Sequence, residues 1–471
     1  MATSSGGQLP LSCACLLLLL LLLCSGSAAA AASSWGSPRR GAARACGFDG
    51  RLEAMEPRQK VQSEAGYIEY FHWFTDADGE LTCAGLFPIR VVVDPQGLLT
   101  ARYTNAHGLA YVVQGTGVVG FSFPGCPSSA ADEQQYRNVH RFQQGDVVAM
   151  PAGVRWLYND GDAPLVLVYV FDTNNDVNQL EPSMRKFLLA GGYGKGTLHF
   201  AENIFRGIDA HLLSEAMDVS VEVAERLQSR RDHRGEIVRV DHGLHLHGLP
   251  PPSSSFPHHD HHQSYYAGAG GWDFDGSSSS LCGMEVRRSV EVPGQAGDDE
   301  YYNPGAGQVT RLTRRRFPIL DVVQMSAARV DVYPDAVLAP SWNLNGHSAL
   351  YALSGRARVQ VASDNGTAVF DGALRAGQLL VVPQGYLVAG KAQGAEGFQY
   401  VSFETNPEPV VSHFAGRRSV LNDLPVDVVA GSYGVSREEA MALKNNRRHE
   451  HGVFAPRTYY HQGRAGCRAQ E

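Results

Sequence analysis

Short apolar runs broken by turn residues recur along most of the chain. Each run is rich in Val, Leu and Tyr, and Gly, Pro, Asn and Asp separate one run from the next. Many such runs in succession predict short strands and a β-sandwich or barrel. The clearest predicted strands are Leu109 to Val119, Val147 to Pro151, Leu165 to Phe171, Ser348 to Val361, Leu379 to Pro383 and Phe398 to Phe403.

The same pattern occurs twice. Three pairs of segments match, in the same order in each half: 105–115 with 345–355, 145–153 with 377–385, and 219–227 with 435–443. The first pair shares Asn-x-His, at His107 and His347, and the second shares Gly-x5-Pro-x-Gly. Ordered matches of this kind indicate a duplicated domain.

Each repeat ends in residues that predict helices. Ser436 and Glu439 form an S-x-x-E capping box, in which the hydroxyl accepts from a backbone N–H and the glutamate reaches back. Near the end of the first repeat, four apolar residues stand at helical spacing: Leu212, Leu213, Ala216 and Met217. A helix pair beside a barrel has no evident role within that barrel. We therefore expect its apolar face to be buried by another domain or another subunit.

The N-terminus reads as a signal peptide. An unbroken leucine run from Leu16 to Leu23 is followed by small residues from Ser25 to Ala32, although no Lys or Arg precedes the run. A single membrane anchor is the alternative, but the run is short for a bilayer. The predicted organisation is a signal peptide at 1–32, a first β domain with a helical arm at 33–242, an exposed loop at 243–280, a second β domain with an arm at 281–455 and a tail at 456–471.

The loop at 243–280 is rich in Pro, Gly, Ser and His. A His-rich tract can bind metal, but no framework of supporting residues is evident, so we interpret it as a flexible solvated segment. The net charge of the 471-residue chain is −8, and all of the acidic excess precedes Gly276. This balance argues against a nucleic-acid partner.

Entry into the secretory route permits disulfides. Without the signal peptide, five cysteines remain, and their spacing alone does not settle the pairing: Cys46, Cys83, Cys126, Cys282 and Cys467. Asn365-Gly-Thr is an N-glycosylation sequon between two predicted strands.

Asn-x-His followed by Gly-x5-Pro-x-Gly resembles the pattern of the cupin superfamily, whose fold is a jelly-roll barrel. Metalloenzymes of that superfamily hold a metal with three His and one Glu. Here Leu109 and Ala349 stand where the second His would follow His107 and His347, and neither Pro-x-Gly motif leads to a further His. One ligand per barrel does not make a tight site. We expect no metal, no cofactor and structural roles for His107 and His347.

A finer resemblance is to the legumin-type (11S) seed storage globulins, from about Cys46 to His451. Several ordered segments carry it, among them Ser63-Glu-Ala-Gly66, Phe123-Pro-Gly-Cys126-Pro127, Asn203-Ile-Phe205, Tyr302-Asn-Pro304 and Phe414-Ala-Gly416-Arg417. The resemblance implies a mainly β bicupin from a plant, specifically a grass, with two jelly-roll barrels that each end in a short helical extension. It implies a nutrient reservoir rather than an enzyme, carried through the secretory route to the protein storage vacuole.

The resemblance also implies covalent processing. It pairs Cys46 with Cys83 and Cys126 with Cys282, and it leaves Cys467 as a free thiol or an intermolecular link. In the family, a vacuolar processing protease cuts an Asn-Gly bond seven residues before the second-half cysteine. This chain has Asp275-Gly276 at that position, so slow or incomplete cleavage is expected. Cleavage lets trimers of the family stack into hexamers, and an uncut chain would stop at a homotrimer.

Other functions stay open from the sequence. A bicupin that binds sugars or small molecules is one alternative, and a metal-dependent cupin enzyme is another. Gly-x-Ser-x-Gly, H-E-x-x-H and phosphate-loop motifs are absent from the chain. An extracellular location is the alternative to the vacuole, and the resemblance favours an unoccupied sequon at Asn365.

Overall fold

The computed structural model describes Phe48 and residues 50–71, 79–122, 138–174, 184–192, 202–229, 232–244, 284–291 and 300–456. Strands dominate these ranges, and helices are short. No helix in them is both long enough and apolar enough to cross a bilayer.

The first half forms a barrel from two antiparallel sheets. Its elements are β1 (Gln59–Ser63), β2 (Gly66–Tyr70), α1 (Glu80–Ala84), β3 (Leu86–Val93), β4 (Gly97–Thr104), β5 (His107–Gln114), β6 (Thr116–Ser122), β7 (Val139–Gln143), β8 (Asp146–Met150), β9 (Gly153–Tyr158), β10 (Leu165–Asp172), β11 (Lys186–Leu188) and β12 (Ile237–Arg239). One sheet has the order β1-β2-β3-β10-β5-β8, and the other has the order β11-β4-β9-β6-β7 with β12 beside β4. Side chains from both sheets, such as Leu99 and Val170, join one buried core.

The predicted strand Leu109 to Val119 is two strands. β5 ends at Gln114 and β6 begins at Thr116. Gly115 between them has φ +89°, and a Cβ there would lie 3.1 Å from the Pro164 carbonyl oxygen. The chain therefore crosses from one sheet to the other at a glycine, a backbone conformation that side chains disfavour. The apolar pattern continues through this corner because both strands are buried.

The second half repeats the architecture. Its elements are β14 (Glu300–Asn303), β15 (Gly307–Leu312), α4 (Leu320–Val323), β16 (Ser326–Val332), β17 (Val337–Asn343), β18 (Ser348–Ala362), β19 (Ala368–Arg375), β20 (Leu379–Val382), β21 (Leu387–Glu404), β22 (Val411–His413) and β23 (Val453–Phe454). β18 and β21 pair along most of their length, so the sheets of this barrel are continuous. The prediction of two jelly-roll β domains is confirmed. The predicted strand Phe398 to Phe403 is only the last third of β21.

Two short helical arms follow the barrels. The first holds a 3-10 turn (Ile204–Gly207), α2 (Ala210–Met217) and α3 (Val221–Leu227). The second holds α5 (Val420–Asp423), α6 (Val426–Tyr433) and α7 (Arg437–Asn445). The predicted capping box at Ser436 and Glu439 is present at the start of α7.

The two barrels exchange edge segments. β13 (Arg287–Ser289) belongs by sequence to the second half, but it pairs with β8 of the first barrel. In the opposite direction, the backbone of Met55 exchanges two hydrogen bonds with Leu379 of the second barrel. Phe71 also meets Tyr351 edge to face at 6.4 Å, so one apolar core extends across both barrels.

Candidate functional site

His107 holds a turn inside the first barrel through a hydrogen bond. The backbone N–H of Ala152, in the Pro-x-Gly motif, donates to Nδ1 of His107 at 2.9 Å. Burial, together with the nearby Arg155 charge, lowers the pKa of His107 from 6.5 to about 4. The ring is therefore neutral at neutral pH and has the acceptor nitrogen that this hydrogen bond needs.

The second barrel repeats this contact. The N–H of Gln384 donates to Nδ1 of His347 at 3.1 Å. In each repeat, a hydrogen bond therefore joins the Pro-x-Gly turn to the histidine of Asn-x-His. The structural role expected of both histidines agrees with these bonds.

Metal ligands do not gather in the described parts of the two barrels. Within the ranges that the structure describes, no group of three or more His, Cys, Asp or Glu side chains is placed to hold a metal ion. His107 is instead followed by buried apolar residues, among them Leu109 and Tyr111. In the described ranges the two histidines therefore support the fold.

A charged network lies inside the first barrel. The carboxylate of Glu236, beyond the first arm, accepts from Arg102 of β4 and from Lys186 of β11, the latter at 2.8 Å. Burial raises the pKa of Glu236, but the Lys186 and Arg102 charges outweigh it and hold the pKa below its ordinary value. Through these bonds, the segment that follows the first arm is held against β4 and β11.

This network was missed from the sequence. Its three charged residues stand far apart in the chain, so no local motif marks them. One signal was present: Thr100, Arg102 and Thr104 alternate along β4, and all three are buried. Polar residues at every second position of a buried strand face indicate a polar barrel interior.

The helical arms are capped and ordered. Asp209 accepts from the N–H groups of His211 and Leu212 at the start of α2, and Ser220 caps α3. In the second arm, Nζ of Lys444 donates to the carbonyl oxygens of Leu421 and Asn422 at 2.6 and 2.9 Å, close to the end of α5. Each cap satisfies backbone groups that a helix end leaves open.

These arms bury little of their own apolar surface. α2 buries only Leu213, and the second arm has a small core of Leu421, Val429 and Ala440. The large apolar side chains that remain exposed on the arms are Ile204, Ile208, Leu212, Met217, Leu424, Val428, Tyr433, Met441 and Leu443. Their own barrels leave this apolar surface exposed, and it is suited to association. The expectation that another domain or subunit buries it stays a prediction.

Of the remaining predicted site residues, the structure describes Cys83 and Asn365. Cys83 of α1 takes part in a disulfide bond. Asn365 is exposed at a turn, where its Oδ1 accepts from the Thr367 N–H at 2.9 Å. Outside the described residues lie Cys46, Cys126, Cys282, Cys467, Asp275 and Gly276. The pairing of the cysteines and the state of the Asp275–Gly276 bond stay predictions.

Comparisons with known proteins agree with the duplicated barrels. The Cupin family model matches residues 52–191 and 295–441. Glutelin type-B 1 of Oryza sativa subsp. japonica is 46% identical over 460 residues, with 90% of each chain covered. The 12S seed storage globulin 2 of Avena sativa is 44% identical over 475 residues, which cover 90% of this chain and 89% of that protein.

A solved structure extends the likeness to three dimensions. The crystal structure of the coconut allergen cocosin has a TM-score of 0.74 and 41% identity, and the match covers 86% of this chain and 98% of that one. The two matched cupin regions, the sequence identity to the relatives and the shared fold all agree. The chain belongs to the 11S seed storage globulins of the cupin superfamily, and its function is storage in the seed.

Proposed function

We propose that this storage globulin is a non-catalytic nutrient reservoir that assembles into a homotrimer through its helical arms. The observation that carries the proposal is the exposed apolar surface of those arms. Leu212 is 57% exposed and Tyr433 is 50% exposed in the single chain. Apolar helix faces of this kind are stable in water when a partner covers them.

A second copy of the chain is the partner that fits both arms. The arms follow different barrels, so a contact between the first arm of one copy and the second arm of the next is head to tail. Contacts of this type close into rings when the rotation allows it. A ring of three copies would bury both apolar faces and leave the barrels outside.

Charge substitutions on the arms test the assembly. Leu212→Glu and Met441→Glu each place a carboxylate in the proposed interface, and both should shift the protein towards monomer. Ala395→Glu, at an exposed position of β21, is the matched control and should leave the mass unchanged. Light scattering after size exclusion gives the mass. A trimer that survives both arm substitutions would contradict the proposal.

Processing is the second part of the proposal. A vacuolar processing protease would cut slowly at Asp275–Gly276, and cutting would let two trimers form a hexamer. The disulfide at Cys83 supports passage through an oxidising compartment, on the way to the protein storage vacuole. The charge difference on either side of Gly276 matches acidic and near-neutral products.

A gel comparison of the seed protein tests the cleavage. A chain that separates only on reduction, with a new N-terminus at Gly276, would support the cut and a bridge between Cys126 and Cys282. Asp275→Asn restores the family residue and should speed processing. A chain that stays whole in mature seed under reducing conditions would leave the trimer as the final state.

Metal analysis tests the non-catalytic role. In each barrel, the histidine of Asn-x-His uses Nδ1 as an acceptor from backbone. We expect far less than one equivalent of Mn, Fe or Cu per chain in protein purified without chelators. A near-stoichiometric metal content would favour a cupin enzyme instead.

A further inference from the structure

A cavity of about 50 Å³ lies inside the first barrel. Most of its wall is apolar, and the residues that form this part are Ile68, Phe87, Ile89, Val91, Leu99, Phe171 and Met184. The rest of the wall is polar and comes from Tyr70, Arg102, Thr104, Arg155, Tyr169 and Lys186. A cavity of this size has room for a few heavy atoms.

Cations outnumber carboxylates at the polar part of the wall. Arg102 and Lys186 share the single carboxylate of Glu236. Arg155 is 7% exposed, and no ion pair involves it among the described residues. Its Nη1 donates to Oγ1 of Thr104 at 2.7 Å, and its guanidinium carbon lies 4.9 Å from the centre of the Phe171 ring.

The neighbouring titratable groups do not supply the missing negative charge. Burial raises the pKa of Tyr169 to about 12 and also raises that of Tyr70, so both phenols stay protonated. Burial lowers the pKa of His107, which is neutral. Three buried cations therefore face one buried carboxylate, and a buried charge without a partner is unfavourable.

The second barrel provides a comparison within the same chain. Its buried carboxylate Glu404 lies 3.5 Å from Arg311, and it also accepts from the hydroxyls of Ser326 and Ser402. One cation there faces one carboxylate. The excess of positive charge is therefore not a general property of the duplicated fold, and it coincides with the cavity of the first barrel.

We propose that the first barrel binds a small aliphatic monocarboxylate, with its carboxylate on Arg155 and its apolar body in the cavity. A guanidinium can hold a carboxylate with two parallel hydrogen bonds, which gives both energy and orientation. The hydroxyl of Tyr169 lies on the same wall and can donate to the anion. Leu99 and Phe171 would cover the alkyl chain.

The apolar wall distinguishes this ligand from an inorganic anion. Phosphate would satisfy the cations but would leave its remaining oxygens against aliphatic side chains, which cannot donate to them. A short fatty acid such as butyrate satisfies both parts of the wall. No described residue of the two arms lines the cavity.

Calorimetric titration of the purified, assembled protein tests the proposal. We expect one butyrate per chain, and we expect butyramide, which has the same shape without the charge, to bind at least about tenfold more weakly. Arg155→Met should lower the butyrate affinity at least about tenfold. Arg141→Met is the matched control, because Arg141 pairs with Asp160 in the same barrel and does not line the cavity; it should bind butyrate like the unaltered protein.

Thermal unfolding separates binding from a structural role. Arg155→Met removes an unpaired buried charge, so without ligand it should melt no lower than the unaltered protein, and butyrate should no longer raise its midpoint. Should this variant fail to fold, Arg155→Lys keeps the charge but loses the paired geometry, and it should bind butyrate with intermediate affinity. Equal binding of butyrate and butyramide, tighter binding of phosphate than butyrate, or full butyrate affinity in Arg155→Met would overturn the proposal.

Discussion

The hydroxyl of Tyr111 in the first barrel accepts a hydrogen bond from Nη1 of Arg329 in the second barrel, at 2.7 Å. Arg329 also contacts Glu291 and Asp331, so one guanidinium joins three partners at the junction of the barrels. Burial raises the pKa of Tyr111 to about 12, and the phenol therefore stays neutral at physiological pH.

Tyr111→Phe should destabilise this junction modestly. The ring still fills its place in the core, and Arg329 keeps its two carboxylates, so only one charge-assisted hydrogen bond is lost, at a cost of about 1.5–3 kcal/mol. Urea unfolding measures the change. Tyr67→Phe is the control, since it keeps the ring over which Nζ of Lys60 lies at 3.3 Å, and it should be almost neutral. If the free energy of unfolding falls as little in Tyr111→Phe as in Tyr67→Phe, the hydrogen bond between Tyr111 and Arg329 contributes no stability.

Acid should weaken the first barrel through His107. Its pKa is 6.5 in the unfolded chain and about 4 in the folded one, so the unfolded state binds more protons between these values. The stabilisation is complete above pH 6.5 and is lost as the pH falls towards 4. The protonated ring also cannot accept from the Ala152 N–H.

Unfolding midpoints measured from pH 7 to pH 4 check this prediction. His107→Asn should flatten the dependence, because an amide oxygen can accept a hydrogen bond but does not titrate in this range. The difference in slope between the two proteins isolates the histidine from other groups. A dependence that is unchanged in His107→Asn would assign the acid sensitivity to another residue.

Much of the fold follows from local pattern. β8 and β10 match the predicted strands Val147 to Pro151 and Leu165 to Phe171 almost residue for residue, because each is a buried run between turn residues. The pairing of β13 with β8 could not be predicted in this way. Nothing in Arg287-Arg-Ser289 itself marks the strand, which forms because β8 offers an open edge.

The buried charged network of the first barrel could not be predicted from local sequence pattern either. Arg102 and Glu236 are separated by 134 residues, and only folding brings β4 beside the segment after the first arm. The apolar arms were predicted as surfaces that need a partner, since helical spacing and the absence of a local role are both visible in sequence. Sequence therefore indicated the exposed apolar arms better than the charged groups that the first barrel encloses.

Glu236→Gln should be strongly destabilising. The change leaves Arg102 and Lys186 buried without a counter-charge, and breaking a buried ion pair from one side costs about 3–5 kcal/mol. Glu202→Gln is the control, because Glu202 is 43% exposed and pairs with Arg206 four residues along the chain; a surface pair of this kind is worth less than about 1 kcal/mol. Urea unfolding of both variants at pH 7 gives the comparison. If Glu236→Gln and Glu202→Gln lower the free energy of unfolding by similar amounts, the buried network does not stabilise the protein as proposed.

Ser436→Ala should weaken the second arm and, through it, assembly. The Ser436 hydroxyl accepts from the Glu439 N–H at 3.2 Å, and the Glu439 carboxylate accepts from the Ser436 N–H at 2.8 Å. Loss of an N-cap hydroxyl costs about 1 kcal/mol, and α7 buries only Ala440 within its own chain, so the helix has little apolar packing beside its polar contacts such as those of Lys444. Ser436→Asp keeps a capping acceptor and should behave like the unaltered protein. Hydrogen exchange at α7 should be faster in the alanine variant, and the proposed trimer should dissociate at a higher protein concentration. Faster exchange with unchanged dissociation would separate the order of this arm from assembly and would place the interface on the first arm.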